Sequence, residues 1–458
     1  MKLIYNVQDK PEFSQLIVFA FQQVLAIMAA TITVPMVVTS SMPEQFAGTT
    51  LSTAAALFGA GVGTLTYVFF TRKKSPVFLG SSFAFIGSMC AAFAGAVSAE
   101  AGFAGLIIGA IFAGLVYVVI ALVIKAIGVG WVDKLMPVVV IGPTVAIIGL
   151  GLAGSAISSL QTSSVTGETT KAAVLCGIIA LFATMLASTY GKSRIKMIPF
   201  IIGILAGYVA AAILTAIGFA TGNTALQITD FSSITALTAN GVNISTFFTV
   251  PDFTFVEALK GFSQVDGAYI GTLFVAYVPV AFVVFAEHIA DHKNISSIIE
   301  TDLLKDPGLD NTLLGDGVGS MIGAFFGGCP NTTYGESIGC VAITKNASVA
   351  TIITAAIECI VLSFLAPIVA FISSIPGCVM GGVCMALYGF IAVSGLKMVQ
   401  KVNLDSNRNL FVVSAILIAG IGGLSLTFGK VTLTSVACAL ILGIIVNVML
   451  SNDPDAKE

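Results

Sequence analysis

The chain has 458 residues, of which 57% are hydrophobic and only 9% are charged, and its mean hydropathy is +1.02. A soluble domain carries roughly a quarter charged residues, so this composition excludes a soluble globular protein and indicates one embedded in lipid. The formal net charge of -3 provides no basic surface for nucleic acid.

Fourteen apolar segments follow one another along the chain, each bounded by polar residues. Because a membrane-spanning helix needs about 20 mostly apolar residues, they predict an all-α polytopic membrane protein. The segments lie near residues 14–36, 50–70, 77–96, 103–126, 134–157, 171–190, 197–219, 266–290, 311–328, 333–345, 348–373, 377–396, 409–427 and 432–450. Two of them are poor spans, because each follows a proline (Pro76 or Pro330) and contains glycine and polar residues. The first run lacks a cleavage site, so we expect it to be retained as a span.

The basic residues are distributed unequally between the two sides of this arrangement. If the N-terminus is cytoplasmic and the segments alternate, 17 of the 20 Lys and Arg residues fall on the cytoplasmic side. The outer side receives Lys171, Lys260 and Lys430. Cytoplasmic loops of membrane proteins carry an excess of Lys and Arg, so both termini are predicted to be cytoplasmic.

An internal repeat relates the two halves of the chain. FGAGVGTLTYVFF at residues 58–70 and LGDGVGSMIGAFF at 314–326 share six identities at a constant offset of 256. Each copy continues into a proline and then a glycine-containing broken span. Seven segments per half place the copies in opposite directions across the membrane. Inverted repeats with interrupted helices are typical of secondary transporters, whose substrate site lies at the interruptions.

Carboxylates inside membrane segments are the strongest functional candidates, because burying one in the bilayer costs roughly 2.5–3.5 kcal/mol on insertion scales. Glu287 and Asp291 are four residues apart, so they share one face of a helix. Glu336 begins the second broken span, where free N–H groups and the helix dipole favour an anion or a carbonyl oxygen. Glu358 has no polar companions, and we expect it to serve helix packing. For Asp316, a helix contact and a coupling role both remain open.

The two histidines, His288 and His292, lie in the sequence HIADH. This resembles a zinc-protease motif only weakly, because Asp replaces the catalytic Glu and a matching third ligand is missing from the other spans. We expect both side chains to be hydrated at the cytoplasmic end of a helix, beside Lys293. The eight cysteines are scattered without paired spacing, which predicts neither a disulfide framework nor a metal cluster. An enzyme and a cofactor are therefore not expected.

Four motifs resemble the uracil-permease branch of the nucleobase–ascorbate transporter family: FLGSSFAFIG, FAEHIADH, GGCPNTTYGESIGCVAITK and MGGVCMALYGFI. The resemblance covers essentially the whole chain. It implies fourteen segments in two inverted repeats of seven, with segments 3 and 10 each a short strand plus a half-helix. It also implies a core domain (12–127 and 266–373), a gate domain (131–220 and 377–450), an extracellular loop (221–265) and a homodimer.

The resemblance further implies a substrate site and a coupling site. By position, the residues that match base-binding positions of the family are Glu287, Glu336, Phe83, Gly335, Tyr334 and Tyr388. The two glutamates match base-binding carboxylates, and Phe83 and Gly335 match positions whose backbone amides meet the base. Proton coupling falls to Glu287 and Asp291, although some members carry His where Asp291 stands. Ser337 replaces the usual Asn, which leaves open a looser turn or altered selectivity.

Together these features predict uptake of uracil with protons across a plasma membrane, most simply the bacterial inner membrane. A xanthine or uric acid carrier of the same family is an alternative, but purine carriers more often have Gln where Glu336 stands. An anion transporter of the same fold is another, but it would need a neutral or basic site. Both carboxylates argue against it.

Overall fold

The computed structural model describes residues 3–128, 131, 137–192, 195, 198–239, 241–428 and 431–451, and helices dominate them. The elements of the first half are α1 (Phe13–Ser40), α2 (Thr53–Phe70), β1 (Leu79–Ser81), α3 (Ile86–Ala94), α4 (Ala99–Ile127), α5 (Val138–Gly151), α6 (Ala153–Gln161), α7 (Lys171–Tyr190) and α8 (Pro199–Thr221). Three short helices follow, namely α9 (Ser232–Ala236), α10 (Ile244–Phe247) and α11 (Thr254–Gly261). The elements of the second half are α12 (Gly267–Ile299), α13 (Leu309–Gly327), β2 (Asn331–Thr333), α14 (Gly335–Thr344), α15 (Val349–Ser363), α16 (Ala366–Ser373), α17 (Gly377–Val399), α18 (Asn407–Ile421), β3 (Leu426–Phe428), β4 (Val431–Leu433) and α19 (Ser435–Met449).

Side-chain caps mark where several long helices begin. Ser52, Ser98, Thr170 and Asp266 each accept a hydrogen bond from a backbone N–H three residues further on, at 2.7–3.2 Å. These bonds satisfy N–H groups that have no acceptor inside the helix. Polar residues between apolar runs therefore mark both the chain reversals and the helix starts.

Within the described residues, eight helical stretches are long and apolar enough to cross a membrane: α1, α2, α4, α5 with α6, α7, α8, α12 and α17. This confirms a multi-pass membrane protein, whereas the count of fourteen segments stays a prediction. The orientation also stays a prediction. Six of the basic residues on which it depends lie outside the described residues, namely Lys2, Lys134, Arg194, Lys196, Lys430 and Lys457.

The two broken segments meet in a two-stranded antiparallel sheet. β1 pairs with β2 so that Gly80 lies opposite Thr332, and the same register continues on both sides. The Ser82 N–H donates to the Pro330 carbonyl at 2.9 Å, and the Tyr334 N–H donates to the Phe78 carbonyl at 3.2 Å. Each strand then leads into a short helix. The predicted strand-plus-half-helix form of both segments is thus present.

The repeated glycines allow α2 and α13 to pack at close range. A Cβ atom on Gly59 would lie 2.6 Å from the Gly323 carbonyl oxygen, and one on Gly63 would lie 3.0 Å from that of Gly319. Small residues let helix backbones approach closely in membranes. The side chain of Asn331 fixes β2 to this pair by donating to the Gly59 carbonyl at 2.9 Å.

The long helices pack in two groups. In one group, α13 packs on α2 and α4, α15 packs on α1 and α2, and α12 packs on α4. The half-helices α3 and α14 belong to this group, since α3 packs on α4 and α14 packs on α1. In the other group, α17 packs on α5, α6, α7 and α8, and α18 packs on α5 and α19. We call these the first and second helix groups. Their members fall within the predicted core and gate segments, and the division into two moving domains stays a prediction.

The stretch predicted as a long loop, 221–265, contains the short helices α9, α10 and α11. Its last helix packs on α4, since a Cβ atom on Gly261 would lie 2.1 Å from the Glu100 carbonyl oxygen. In the first turn of this helix, the ring of Phe255 stacks on that of Phe325 at the end of α13, with centroids 4.9 Å apart. The segment therefore covers one end of the first helix group.

Candidate functional site

A cavity of about 370 Å³ lies where the two broken segments meet the second helix group. Small-molecule pockets measure roughly 300–1,000 Å³, so this cavity suits a compact ligand. The first helix group contributes the polar part of the lining, from Ser82, Phe83, Glu287, Ala290, Asp291, Thr332, Thr333, Tyr334, Gly335 and Glu336. The other lining residues are the Ala84 side chain and an apolar wall described below.

Two helix starts point at the cavity. After β1 the chain forms a 3₁₀ turn at Phe83–Phe85 that leads into α3, and after β2 it enters α14 at Gly335. The first N–H groups of a helix have no acceptor inside it, and the helix dipole makes this end partially positive. Backbone donors at Phe83 and Gly335 are therefore available to a carbonyl group in the cavity.

Three carboxyl groups line the same cavity. Glu287 and Asp291 are one turn apart on α12, and Glu336 stands in the first turn of α14. The Thr333 hydroxyl donates to Asp291 Oδ2 at 2.8 Å, which links α12 to the end of β2. A site that combines carboxylates with the backbone N–H groups of two helix starts can accept hydrogen bonds from N–H groups of a ligand and donate to its carbonyl oxygens.

The predicted aromatic residues occupy two different places. The Tyr334 hydroxyl donates to the Ser81 carbonyl at 2.6 Å, and a Cβ atom on Gly80 would lie 2.4 Å from the Tyr334 ring. Tyr334 therefore packs against β1. Tyr388, on α17, stands behind the lining, with its ring edge-on to that of Phe83 at a centroid distance of 5.8 Å. It positions Phe83.

Ser337 holds α14 in place. Its hydroxyl accepts a hydrogen bond from the Phe78 N–H at 3.1 Å, and its carbonyl accepts one from the Gln23 side chain at 3.3 Å. The residue that differs from the family pattern thus ties the half-helix to the segment before β1 and to α1.

The opposite wall of the cavity was not predicted from the sequence. The second helix group supplies this mostly apolar wall, from Val145, Ile148, Phe200, Leu387, Phe390, Ile391, Ser394 and Met398. Such residues occur on every membrane helix, so composition and motif give no signal for them. Only their position across the cavity from the half-helices identifies them.

The prediction that His288 and His292 are hydrated is wrong, because both side chains are fully buried. His288 bonds Asp316 Oδ2 through Nδ1 at 2.6 Å and the Thr312 hydroxyl through Nε2 at 3.0 Å. His292 bonds the Tyr67 hydroxyl at 2.6 Å and the His288 carbonyl at 2.8 Å. All four ring nitrogens therefore have protein partners. α12 continues to Ile299, past the predicted end at residue 290, and this extension places both rings inside the helix packing.

The remaining acidic candidates lie outside the cavity lining. Asp316 takes part in the buried contact with His288 that joins α13 to α12. Glu358 lies half-buried on α15. Of the carboxylates singled out from the sequence, the structure thus brings Glu287, Asp291 and Glu336 together and separates these two from them.

Comparison with known proteins gives matches over nearly the whole chain. The sequence model of the permease family matches residues 14–428. The chain is 36% identical over 460 residues to a uracil permease of Bacillus caldolyticus, covering 100% of this chain and 97% of that protein. It is 34% identical over 442 residues to the uracil permease of Escherichia coli strain K12, covering 96% and 92%.

One solved structure extends the comparison to the fold. The transmembrane domain of a cyanobacterium bicarbonate transporter, BicA, is similar with a TM-score of 0.56, covering 97% of this chain and 100% of that domain. The sequences are only 14% identical, so this likeness is one of fold alone.

Proposed function

The chain belongs to the permease family and is a transporter, not an enzyme, and from this premise we propose that it imports uracil together with protons. The observation that carries the proposal is the cavity at the two half-helix starts, which Glu287 and Glu336 line together with Phe83 and Gly335. Proteins similar to this chain over more than nine-tenths of their length are named uracil permeases.

The chemistry of uracil matches the two kinds of group in the cavity. The base is flat and uncharged, with N–H and C=O groups alternating along its edge. Glu287 and Glu336 accept hydrogen bonds from the N–H groups, and the backbone N–H groups of Phe83 and Gly335 donate to the carbonyls. Tyr334 and Tyr388 support these groups from behind. The apolar wall covers the face of the ring and excludes water from it.

Proton coupling belongs to the carboxylates on α12. Glu287 contacts the substrate, and Asp291 lies one turn away beside Thr333. A carboxylate that must bind a proton before or together with the base links the two occupancies. Proton entry then drives uptake, with ~2.3 kcal/mol available per charge for each 100 mV of membrane potential.

The site lies between the two helix groups, so movement of one against the other changes its access. The first group carries both half-helices, and the second carries the apolar wall. In this proposal they act as core and gate domains of a plasma-membrane protein with both termini in the bacterial cytoplasm. The proposed architecture also includes fourteen membrane segments and assembly as a homodimer. Rocking of one repeat or bundle about a fixed site is the general mode of such transporters.

Equilibrium binding to the purified protein tests the substrate directly. We expect labelled uracil to bind and to be displaced by unlabelled uracil, but not by xanthine or sulfate in the same concentration range. If xanthine competes more tightly than uracil, the substrate is a purine and the assignment of uracil is wrong. Sulfate as the tighter competitor would favour an anion carrier, a function that only likeness of fold supports.

A further inference from the structure

A second cavity, of about 530 Å³, is lined by hydroxyl groups. The side chains that supply them include Ser40, Ser41, Ser155, Ser158, Ser159 and Thr162. We call this cavity the serine vestibule. Its remaining lining is Ser164 with two glycines, so its described lining contains neither a charged nor an apolar side chain. A cavity of this size is large enough for a small ligand.

The serine vestibule and the first cavity lie toward opposite ends of the same helices. α17 begins at Gly377 in the vestibule and first reaches the lining of the first cavity at Leu387. Ten residues of helix separate Gly377 from Leu387, which is ~15 Å at 1.5 Å per residue. α1, from the other helix group, ends in the vestibule at Ser40. Both cavities thus lie between the two helix groups.

The half-helix α3 connects the two cavities. The 3₁₀ turn that leads into it starts at Phe83 in the first cavity, and Cys90 of the half-helix lies near Ser41 of the vestibule. The same half-helix is bonded to α12 through the Ser88 hydroxyl, which donates to the Ala276 carbonyl at 2.7 Å. A ligand in the vestibule would contact Ser41, which lies next to an element that also shapes the first cavity.

We propose that the serine vestibule is a second, weaker binding site for the neutral nucleobase, on the face of the membrane opposite the opening of the first cavity. Each hydroxyl both donates and accepts, so the lining matches the alternating N–H and C=O edge of the base in many orientations. Without a charged group it gives an ion no preference. The vestibule collects the base before the helix groups move. This inference rests on the proposed function, since the vestibule is proposed to bind the same base that the protein transports.

Protection of an introduced cysteine tests the vestibule. Of the eight native cysteines, seven are buried and Cys90 is half-buried, so a Cys90→Ala protein is the background. In it, Ser158→Cys should react with a membrane-impermeant thiol reagent applied to right-side-out vesicles. Uracil should slow the reaction along a binding curve, by about tenfold at ten times the midpoint concentration, since the free fraction of the site is 1/(1 + [L]/Kd). Thr162→Cys is the substitute position if Ser158→Cys does not fold.

The same measurement in a Glu336→Gln protein separates a true site from a conformational effect. We expect protection to persist there, because the vestibule does not contain Glu336. Protection that disappears together with binding at the first cavity would overturn the proposal, as would the absence of labelling from outside or protection by sulfate instead of uracil. The proposed function fails by a different result, namely that the unmodified protein neither binds nor transports uracil.

Discussion

At the residue scale, the two glutamates of the first cavity differ in the element that holds them. Glu336 stands in the first turn of α14, beside backbone donors, where a carboxylate is favoured by the helix dipole. Glu287 lies within the long helix α12, whose backbone groups are already bonded to one another. The surroundings of Glu336 favour a carboxylate that accepts hydrogen bonds from the base throughout the transport cycle. The surroundings of Glu287 favour a carboxyl group that is neutral for part of the cycle, because the bonded backbone of α12 does not stabilise its charge.

Glu336→Gln should remove most uracil binding and leave the protein folded. The amide presents an N–H where an N–H of the base also points, and a buried group left without its partner costs about 1–3 kcal/mol. This corresponds to a loss of roughly five- to 150-fold in affinity. Equilibrium binding gives the dissociation constant. Glu358→Gln is the matched control, since that carboxyl lies on α15 away from the cavity lining. Wild-type affinity in a folded Glu336→Gln protein would contradict the proposed role.

Glu287→Gln should abolish uracil accumulation driven by a pH gradient, because an amide cannot take up and release a proton. Counterflow exchange, which needs no net proton movement, should survive in part. Both are measured in proteoliposomes with an imposed pH gradient, and Glu358→Gln again serves as the control. Unchanged accumulation would show that another group carries the proton.

Asp291→Asn should shift the pH optimum of uptake and change uracil affinity less than Glu287→Gln does. Asp291 and Glu287 are at positions i and i+4, where two negative charges repel each other. Removing one carboxyl group therefore alters the protonation of the other. Asn can still accept the hydrogen bond from Thr333, so β2 should stay in place.

Uptake by the Asp291→Asn and unmodified proteins is measured from about pH 5 to pH 8, a range that brackets the pKa of a perturbed carboxyl group. Equilibrium binding compares the uracil affinities of Asp291→Asn and Glu287→Gln. If the Asp291→Asn profile overlays that of the unmodified protein, Asp291 has a structural role at the end of β2 and no part in coupling.

At the element scale, the site depends on the close crossing of α2 and α13. These helices carry the two copies of the sequence repeat, and both strands are fastened to them. The Leu79 N–H of β1 donates a hydrogen bond to the Thr64 hydroxyl of α2 at 3.0 Å. The Asn331 side chain of β2 donates to the Gly59 carbonyl of α2, and the Asn331 carbonyl accepts from the Ser320 hydroxyl of α13. The distance between α2 and α13 therefore sets the position of both half-helix starts.

Gly59→Ala should lower the thermal stability of the protein and weaken uracil binding. The new Cβ atom would lie 2.6 Å from the Gly323 carbonyl oxygen, and the backbone of α13 can relieve this contact only by moving away. Overpacking of this kind typically costs about 1–3 kcal/mol. Thermal unfolding and uracil binding are the two measurements. Gly389→Ala on α17 is the matched control, because a Cβ atom there meets open space. Equal behaviour of the two variants would contradict the close-packing argument.

The sequence predicts the broken segments because their chemistry is local. A proline and a glycine-containing stretch follow each copy of the repeat, and β1 and β2 form there. Glu287 and Asp291 are placed together by their spacing of four residues on one helix. The buried histidines could not be predicted in the same way, since the partners of His288 and His292 lie elsewhere in the chain, as far away as Tyr67. The apolar wall is equally invisible, because Phe200 and Leu387 look like any lipid-facing residue until the helices are packed.

At the scale of the whole molecule, the two helix groups enclose one acidic cavity and one hydroxyl-lined cavity at different depths along the same helices. The acidic cavity carries the specific groups, and the serine vestibule carries groups that bind without strong preference. This order suits a carrier that collects a neutral base weakly on one face, binds it tightly at the half-helices, and releases it on the other face.

The side of the membrane on which each cavity opens depends on the orientation of the chain, which the distribution of basic residues predicts. Seventeen of the 20 Lys and Arg residues fall on one side when fourteen segments alternate, and an even number of segments places both termini on that side. In intact cells, a C-terminal epitope should therefore be protected from added protease. An epitope inserted after the exposed residue Ala239, between α9 and α10, should be cleaved. Inside-out vesicles should reverse both results, because Lys- and Arg-rich loops stay in the cytoplasm. Cleavage of both epitopes from the same side would contradict the predicted number of segments between α9 and the C-terminus. Reversed cleavage of both would instead invert the orientation and assign the serine vestibule to the cytoplasmic face.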